Sequence, residues 1–279
     1  MAITNFIPAI WSENLYRELD RQYIGVAHCT REYEGEIKNM GSVVKICGVG
    51  NVAVADYTRN TDMSNPQSLS DTVKELEINR AKYFNFQIDD IDRAQSSPKL
   101  MEAAMGVAAS ALANAADRHI FSMHTDAENF VTNDNVTADN IIDLIIEARQ
   151  RLYENDVFDA SDIVIEVTPK VASLILKAKT ELSTDNTPAL EAGYLGSIAG
   201  CKIYVSNNVV VEEDLDCNYH KCFVRTTRAI AFAEQLSEID AYRPEKRFAD
   251  AVKGLHLFGS RIIYPKEFVV LNLGIATEQ

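Results

Sequence analysis

The chain has 279 residues, 47% of them hydrophobic and 24% charged, with a formal net charge of -14 at pH 7. Such a length and mix fit one large or two ordinary globular domains with a sizeable core. They exclude a protein that grips nucleic acid by neutralising phosphates, because no cluster of Lys and Arg stands out, and they exclude a membrane span. The longest apolar-leaning run, Ala103 to Ala116, is cut by Glu102, Asn114 and Asp117, too soon to cross a bilayer.

The first residues lack the basic, apolar, small-residue order of a signal peptide. The five cysteines (Cys29, Cys47, Cys201, Cys217 and Cys222) are odd in number and scattered, which points to free thiols in a reducing compartment.

In chain order, Asn5 to Tyr23 opens with an apolar patch around Phe6, Ile7 and Trp11, the only tryptophan. A short amphipathic helix follows from Ser12, with Leu15 and Leu19 at i, i+4. Next comes GSVVKICGVGNVAVADY, in which Val44 and Ile46 share a face, as do Val52 and Val54. Gly48 to Ala53 spells G-x-G-x-x-A, the dinucleotide-binding fingerprint. That fingerprint works only where a helix begins after the glycines and aims its free amides at the phosphates. Here a β-branched run of period two follows instead, so the stretch reads as strand, glycine turn, strand: a ribbon. A nucleotide-binding enzyme using Gly48 to Ala53 stays as the alternative from another class.

A polar connector with Pro66 leads to TVKELEINRAKYFNFQID, where Leu76, Ile78, Phe84, Phe86 and Ile88 mark one face of a long strand interrupted by Arg80 and Lys82. The clearest helix follows, from an N-cap at Ser97 with Pro98 in the first turn to about His124, roughly 40 Å at 1.5 Å per residue. Ile141, Leu144, Ile145, Ala148 and Leu152 define an amphipathic helix. Asp162 to Val167 reads as a buried strand, and Pro169 starts another helix. Gly193 to Val209 reads as a glycine-rich turn leading into a strand, and CFVRTTRAIAFAEQ as two short strands. The remainder is β-rich and broken at Gly254, Gly259 and Pro265. The class is α+β, since strands and helices do not alternate strictly.

Candidate chemistry is sparse. GYLGSIAG ends in no G-K-[ST] and contains no G-x-S-x-G, so it is neither a phosphate loop nor a nucleophile elbow. Cys217, His220 and Cys222 offer three zinc ligands, but no second pair completes four. Asp89, Asp90 and Asp92 lack the glycine and spaced oxygens of a calcium loop. His28, His119, His124 and His256 have no neighbouring Ser or Cys in a recognisable nucleophile setting. His28 precedes Cys29, but adjacent strand residues face opposite sides. No catalytic residue, cofactor or metal is expected.

What remains unexplained is the apolar arm and the ribbon. An isolated two-stranded ribbon is marginal in water, so both need something to pack on. If the partner is another copy of the chain, they are clasps between subunits, with Phe6, Ile7, Trp11, Val44, Ile46, Gly48, Gly50, Val52 and Val54 as the contact candidates.

Taken in order, FIPAIWSENL, the ribbon and LEINRAKYFNFQIDDIDRAQS, the helix from Pro98, GYLGSIAGCKIYVSNNV and the stretch from RAIAFAEQ to EFVVL resemble the major capsid proteins of tailed bacteriophages, those with the Hong Kong 97 fold. The resemblance covers nearly the whole chain and rests on order and spacing. It implies an N-terminal arm (1–32), an extended β-ribbon loop with return strands (33–90), a spine helix and peripheral domain (91–130), an axial domain (131–235) and closing peripheral strands (236–279). It implies a shell of pentamers and hexamers around double-stranded DNA bound without sequence specificity. The implied partners are a portal protein, a decoration protein and a scaffolding protein. The scaffold is expected to be a separate chain, because the arm begins within the first ten residues. The setting would be the virion, assembled in the host cytoplasm with no membrane partner. Some family members cross-link through a loop lysine. Lys45, Lys74 and Lys82 lie in that region, although ribbon lysines usually serve solvation or rim contacts. An encapsulin-type compartment is the alternative within the same fold.

Overall fold

The computed structural model describes residues 15, 17–33, 41–49, 56, 59, 71–89, 100–157, 159–178, 193–214, 217–246 and 249–276. In chain order the elements are β1 (Val43–Val49), β2 (Asp71–Glu77), β3 (Arg80–Asp89), α1 (Leu100–Ser122), β4 (Asn129–Asn133), α2 (Ile141–Glu154), β5 (Ile163–Val167) and α3 (Pro169–Lys177). They continue with β6 (Tyr194–Ile198), β7 (Cys201–Val205), β8 (Val211–Glu213), β9 (Cys217–Thr226), β10 (Ile230–Tyr242), β11 (Ala249–Ile262) and β12 (Phe268–Ala276). The mixed α+β class expected from the sequence is what the chain adopts.

Three sheets result. The largest has the order β4-β12-β9-β5-β7-β6, with β8 also paired to β9. A three-stranded sheet runs β10-β11-β3, and β1 pairs with β2 alone. β5 is buried at all five positions, as a strand covered on both faces must be. α2 buries the expected five residues, Ile141, Leu144, Ile145, Ala148 and Leu152. α3 starts where Thr168 Oγ1 accepts from Val171 N and Pro169 takes the first turn, both ordinary helix-start devices. α1 spans 23 residues, about 34 Å at 1.5 Å per residue. Its buried face is built from small residues, Ala108, Ala109, Ala113 and Ala116, with Leu112 and Ile120. The expected cap at Ser97 and Pro98 lies outside the described residues.

Several local expectations are corrected. The long strand through Arg80 and Lys82 is two strands, broken at Ile78 and Asn79. There the chain leaves the ribbon and enters the three-stranded sheet, and Ile78 is fully buried at the corner. Gly193 to Val209 is not one turn and one strand. It is a hairpin of β6 and β7 closed by Ala199 (φ 53) and Gly200 (φ 86), two consecutive left-handed residues of the kind that tight hairpins use.

Nor does β11 break at Gly254 and Gly259. It runs through both to Ile262, and only Pro265 interrupts. At Gly259 the requirement is space: a Cβ there would sit 2.2 Å from Glu77 O, so β2 crosses bare backbone. CFVRTTRAIAFAEQ belongs to two long strands, β9 and β10, in different sheets. β12 lies in the seven-stranded sheet between β4 and β9, while β10 and β11 lie in the other, so the segment 236–279 is shared between the two.

Candidate functional site

Two features stand out: the seat of the ribbon and the anchorage of the segment that precedes it. β1 and β2 pair antiparallel from Val43 opposite Glu77 to Val49 opposite Asp71. Their inner face carries Val44, Ile46 and Leu76, which with Ile78 pack onto Ala231 and Ala233 of β10, Leu257 of β11, and Ile263. Each buried aliphatic side chain contributes roughly 1.5–3 kcal/mol of transfer free energy. Four of them outweigh the marginality of a bare hairpin. Lys74 Nζ donates to Ile263 O and pins the same base. The expectation that the ribbon needs a neighbouring subunit to hold it is therefore corrected for its base, which its own chain supports.

Of the contact candidates, Val44 and Ile46 are consumed in this internal seat, 2% and 7% exposed. Gly48 does not turn the ribbon's tip. Its backbone lies within β1, opposite Thr72. Phe6, Ile7, Trp11, Gly50, Val52 and Val54 lie outside the described residues. The ribbon's outer face carries Val43 and Val73, 46% and 47% exposed, with Lys45 opposite Glu75 between them. Tyr83 and Leu255, paired across β3 and β11, are exposed as well, Tyr83 at 78%.

The second feature is a set of buried charges around residues 23–31. Arg225 of β9, fully buried, donates through Nε to Glu166 Oε2 and through Nη2 to Glu166 Oε1, both at 2.9 Å. It also donates to His28 O at 2.6 Å and Gly25 O at 2.8 Å. Burial alone would raise the Glu166 carboxyl, but Arg225 and His28 outweigh it and hold the group below the usual range. The same competition holds the Arg225 guanidinium above its ordinary value. On α1, Asp117 accepts from Ile24 N and Val26 N, each at 3.0 Å. It has backbone donors in place of a cation, and burial pushes it up to about 6.

On the three-stranded sheet, Glu234 accepts from the Tyr23 hydroxyl and from Arg31, and lies 2.8 Å from His256 Nε2. Burial raises Glu234, but the hydrogen bond from His256 and the charge of Arg31 prevail and lower it. Burial and the nearby Glu234 raise the Tyr23 hydroxyl, so it stays protonated.

The remaining candidates are dispersed. His28 lies in a 3-10 turn, Val26–His28, rather than on a strand, and it and Cys29 are both buried near Arg225. Burial pushes the Cys29 thiol up to about 11 and Cys222 to about 12, far from a reactive thiolate. His220 Nδ1 sits 2.8 Å from Thr168 Oγ1. Among the described residues no three His, Cys, Asp or Glu side chains gather as a metal group, and no helix is long and apolar enough to cross a membrane.

Sequence reading missed Glu166, Arg225, Asp117 and Glu234. The signal was present for three of them: Glu166, Arg225 and Glu234 are each the one charge in a short stretch, IVIEV, FVRTT and AFAEQ, whereas Asp117 has Arg118 beside it in ANAADR. A charge cannot stay buried in such a run without a partner.

No protein-family model and no curated protein matches the sequence. Solved structures do. The chain is similar to a structure of Mycobacterium phage Che8, with 29% identity over 90% of this chain and 91% of that one and a TM-score of 0.71. It is also similar to the capsid of Ralstonia phage GP4 (12% identity, 94% and 91% covered, TM-score 0.70). A third likeness is to the capsid of cyanophage P-SCSP1u (14%, 89% and 87%, 0.67). Fold and coverage together place the chain beside the capsid proteins of bacteriophages, which it resembles from end to end.

Proposed function

We propose that this chain is the repeating subunit of an icosahedral phage head, assembling as pentamers and hexamers around double-stranded DNA. The observation that carries this reading is the end-to-end likeness to capsid structures, about nine-tenths of the chain in each direction. On this reading the chain has a Hong Kong 97-like fold. α1 is its spine, the three-stranded sheet and α1 form the peripheral region, and the seven-stranded sheet forms the axial region. Residues 1–32 act as an arm and the ribbon reaches a neighbour.

Val43 and Val73 support a self-contact, because they leave apolar surface on the ribbon's outer face after its inner face has been buried. The arm residues Phe6, Ile7 and Trp11 and the ribbon residues Gly48, Gly50, Val52 and Val54 are proposed to touch adjacent copies. A net charge of -14 suits a container that must not adhere to its DNA. A separate scaffolding protein, a portal and a decoration protein are the proposed partners, and the virion, assembled in the host cytoplasm, is the proposed setting.

The test is to express the chain with and without a scaffold and examine it by sedimentation and negative-stain microscopy. Closed particles or capsomers are expected, and a chain that remains monomeric at high concentration overturns the reading. Particles that hold DNA and a portal vertex separate a phage head from a compartment that packages protein. The nucleotide-binding alternative predicts a thermal shift with NAD, FAD or ATP. A strand running through Gly48 speaks against it, since the fingerprint needs that glycine in a turn before a helix.

A further inference from the structure

Residues 23–31 grip both larger sheets, through separate groups. At the seven-stranded sheet, all five N–H donors of Arg225 are engaged: two by Glu166, one each by Gly25 O and His28 O, and the last by Cys29 Sγ at 3.7 Å. Three of these five partners belong to the segment. At the three-stranded sheet, Thr30 N donates to Ile230 O and Phe232 N donates to Thr30 O, both at 3.0 Å, and the Tyr23 hydroxyl donates to Glu234.

The chain also passes between these sheets at residues 227–229 and 263–267. The two passages lie side by side, with Ile263 N and Tyr264 N both donating to Ala229 O. Two adjacent passages make a hinge line, while α1 joins β3 of one sheet to β4 of the other and the two sheets share one hydrophobic core. Residues 23–31 add direct polar ties to both sheets away from that line.

We infer that residues 23–31 are a strap that locks the seven-stranded and three-stranded sheets at one relative angle, so that loosening either end frees the other. The strap belongs to the single chain, and its failure would leave the shell reading standing. Its strength comes from buried polar groups that have nowhere else to turn. Without the segment, Arg225 would lose most of its acceptors and Asp117 its backbone donors, each at the desolvation cost of an unsatisfied buried group.

The test is hydrogen exchange, read by mass spectrometry on the unassembled full-length protein. Tyr23→Phe removes only the hydroxyl that reaches Glu234, at the three-stranded end. Exchange should then quicken at the Arg225 end as well, at the His28 and Cys29 amides, which donate to Gly25 O and Val26 O in the turn that Arg225 holds, by about tenfold, the factor for a lost hydrogen bond to a charged acceptor. Arg225→Met acts from the other side and should quicken Thr30 and Phe232. In both variants the amides of α2 should exchange as in the parent. Quickening confined to the substituted end, or spread equally into α2, overturns the strap. If Arg225→Met does not fold, Tyr23→Phe decides alone.

Discussion

Arg225 and Glu166 face each other across β9 and β5 with no exposure of either side chain, joined by two parallel hydrogen bonds of 2.9 Å. Removing one partner leaves the other buried and uncompensated, which costs about 3–5 kcal/mol. Glu166→Gln should therefore lower unfolding stability by that order in a urea titration. The double variant Glu166→Leu/Arg225→Met should lose less than the sum of the two singles, because it removes both charges together. Additive losses would mean that the pair does not act as a unit.

Asp117 titrates in the opposite sense to its neighbours. Its folded value of about 6 lies above the ordinary 3.8, so the folded chain binds more protons than the unfolded one between those values. Its contribution is most favourable below about pH 4 and is lost as pH rises through about 6, an effect of roughly 2–3 kcal/mol at 1.36 kcal/mol per unit. Glu166 and Glu234 are lowered, and their contributions are lost as pH falls. The difference in stability between the parent and Asp117→Asn, followed from pH 4 to 7, isolates the first effect. A difference curve that is flat with pH would contradict it.

The ribbon's seat is expected to be sensitive to volume. Leu76→Ala removes a fully buried side chain from the small cluster under the ribbon and should cost about 2–5 kcal/mol. Gly259→Ala should also disturb the seat, since its Cβ would meet Glu77 O at 2.2 Å. Exchange of the β1 and β2 amides, ahead of those in β5, is the measurement that places the damage there.

On the ribbon's outer face the opposite pattern is expected. Val73→Glu replaces a residue that is 47% exposed and should leave unfolding stability within about 0.5 kcal/mol. On the proposed shell reading the yield of closed particles should nevertheless fall, because the charge would be buried at a contact between copies. Unchanged particle yield would remove this face from the assembly surface.

Elements with their own periodicity were legible in the sequence. α2 declared its buried stripe, and β5 its two-sided burial, through local spacing alone. The ribbon was legible as strand, but its partner was not. Period two says that Val44 and Ile46 share a face, yet not that Ala231, Ala233 and Leu257, far along the chain, lie beneath it. Local sequence makes Gly254 and Gly259 look like breaks, whereas both serve close approach, a distinction that depends on what lies across from them. The charges around residues 23–31 were hidden for the same reason: a lone Glu in IVIEV shows that a partner must exist, but not that it is Arg225.

β12 lies between the edge strand β4 and β9 in the large sheet, parallel to the first and antiparallel to the second, with Val269 opposite both Asn129 and Val224. It is also the last of the described strands to leave the ribosome. Until then β4 and β9 each present an open edge, and the two cannot be joined. The large sheet therefore closes only once the last described strand is made, and β4 and β9 stay unjoined until then.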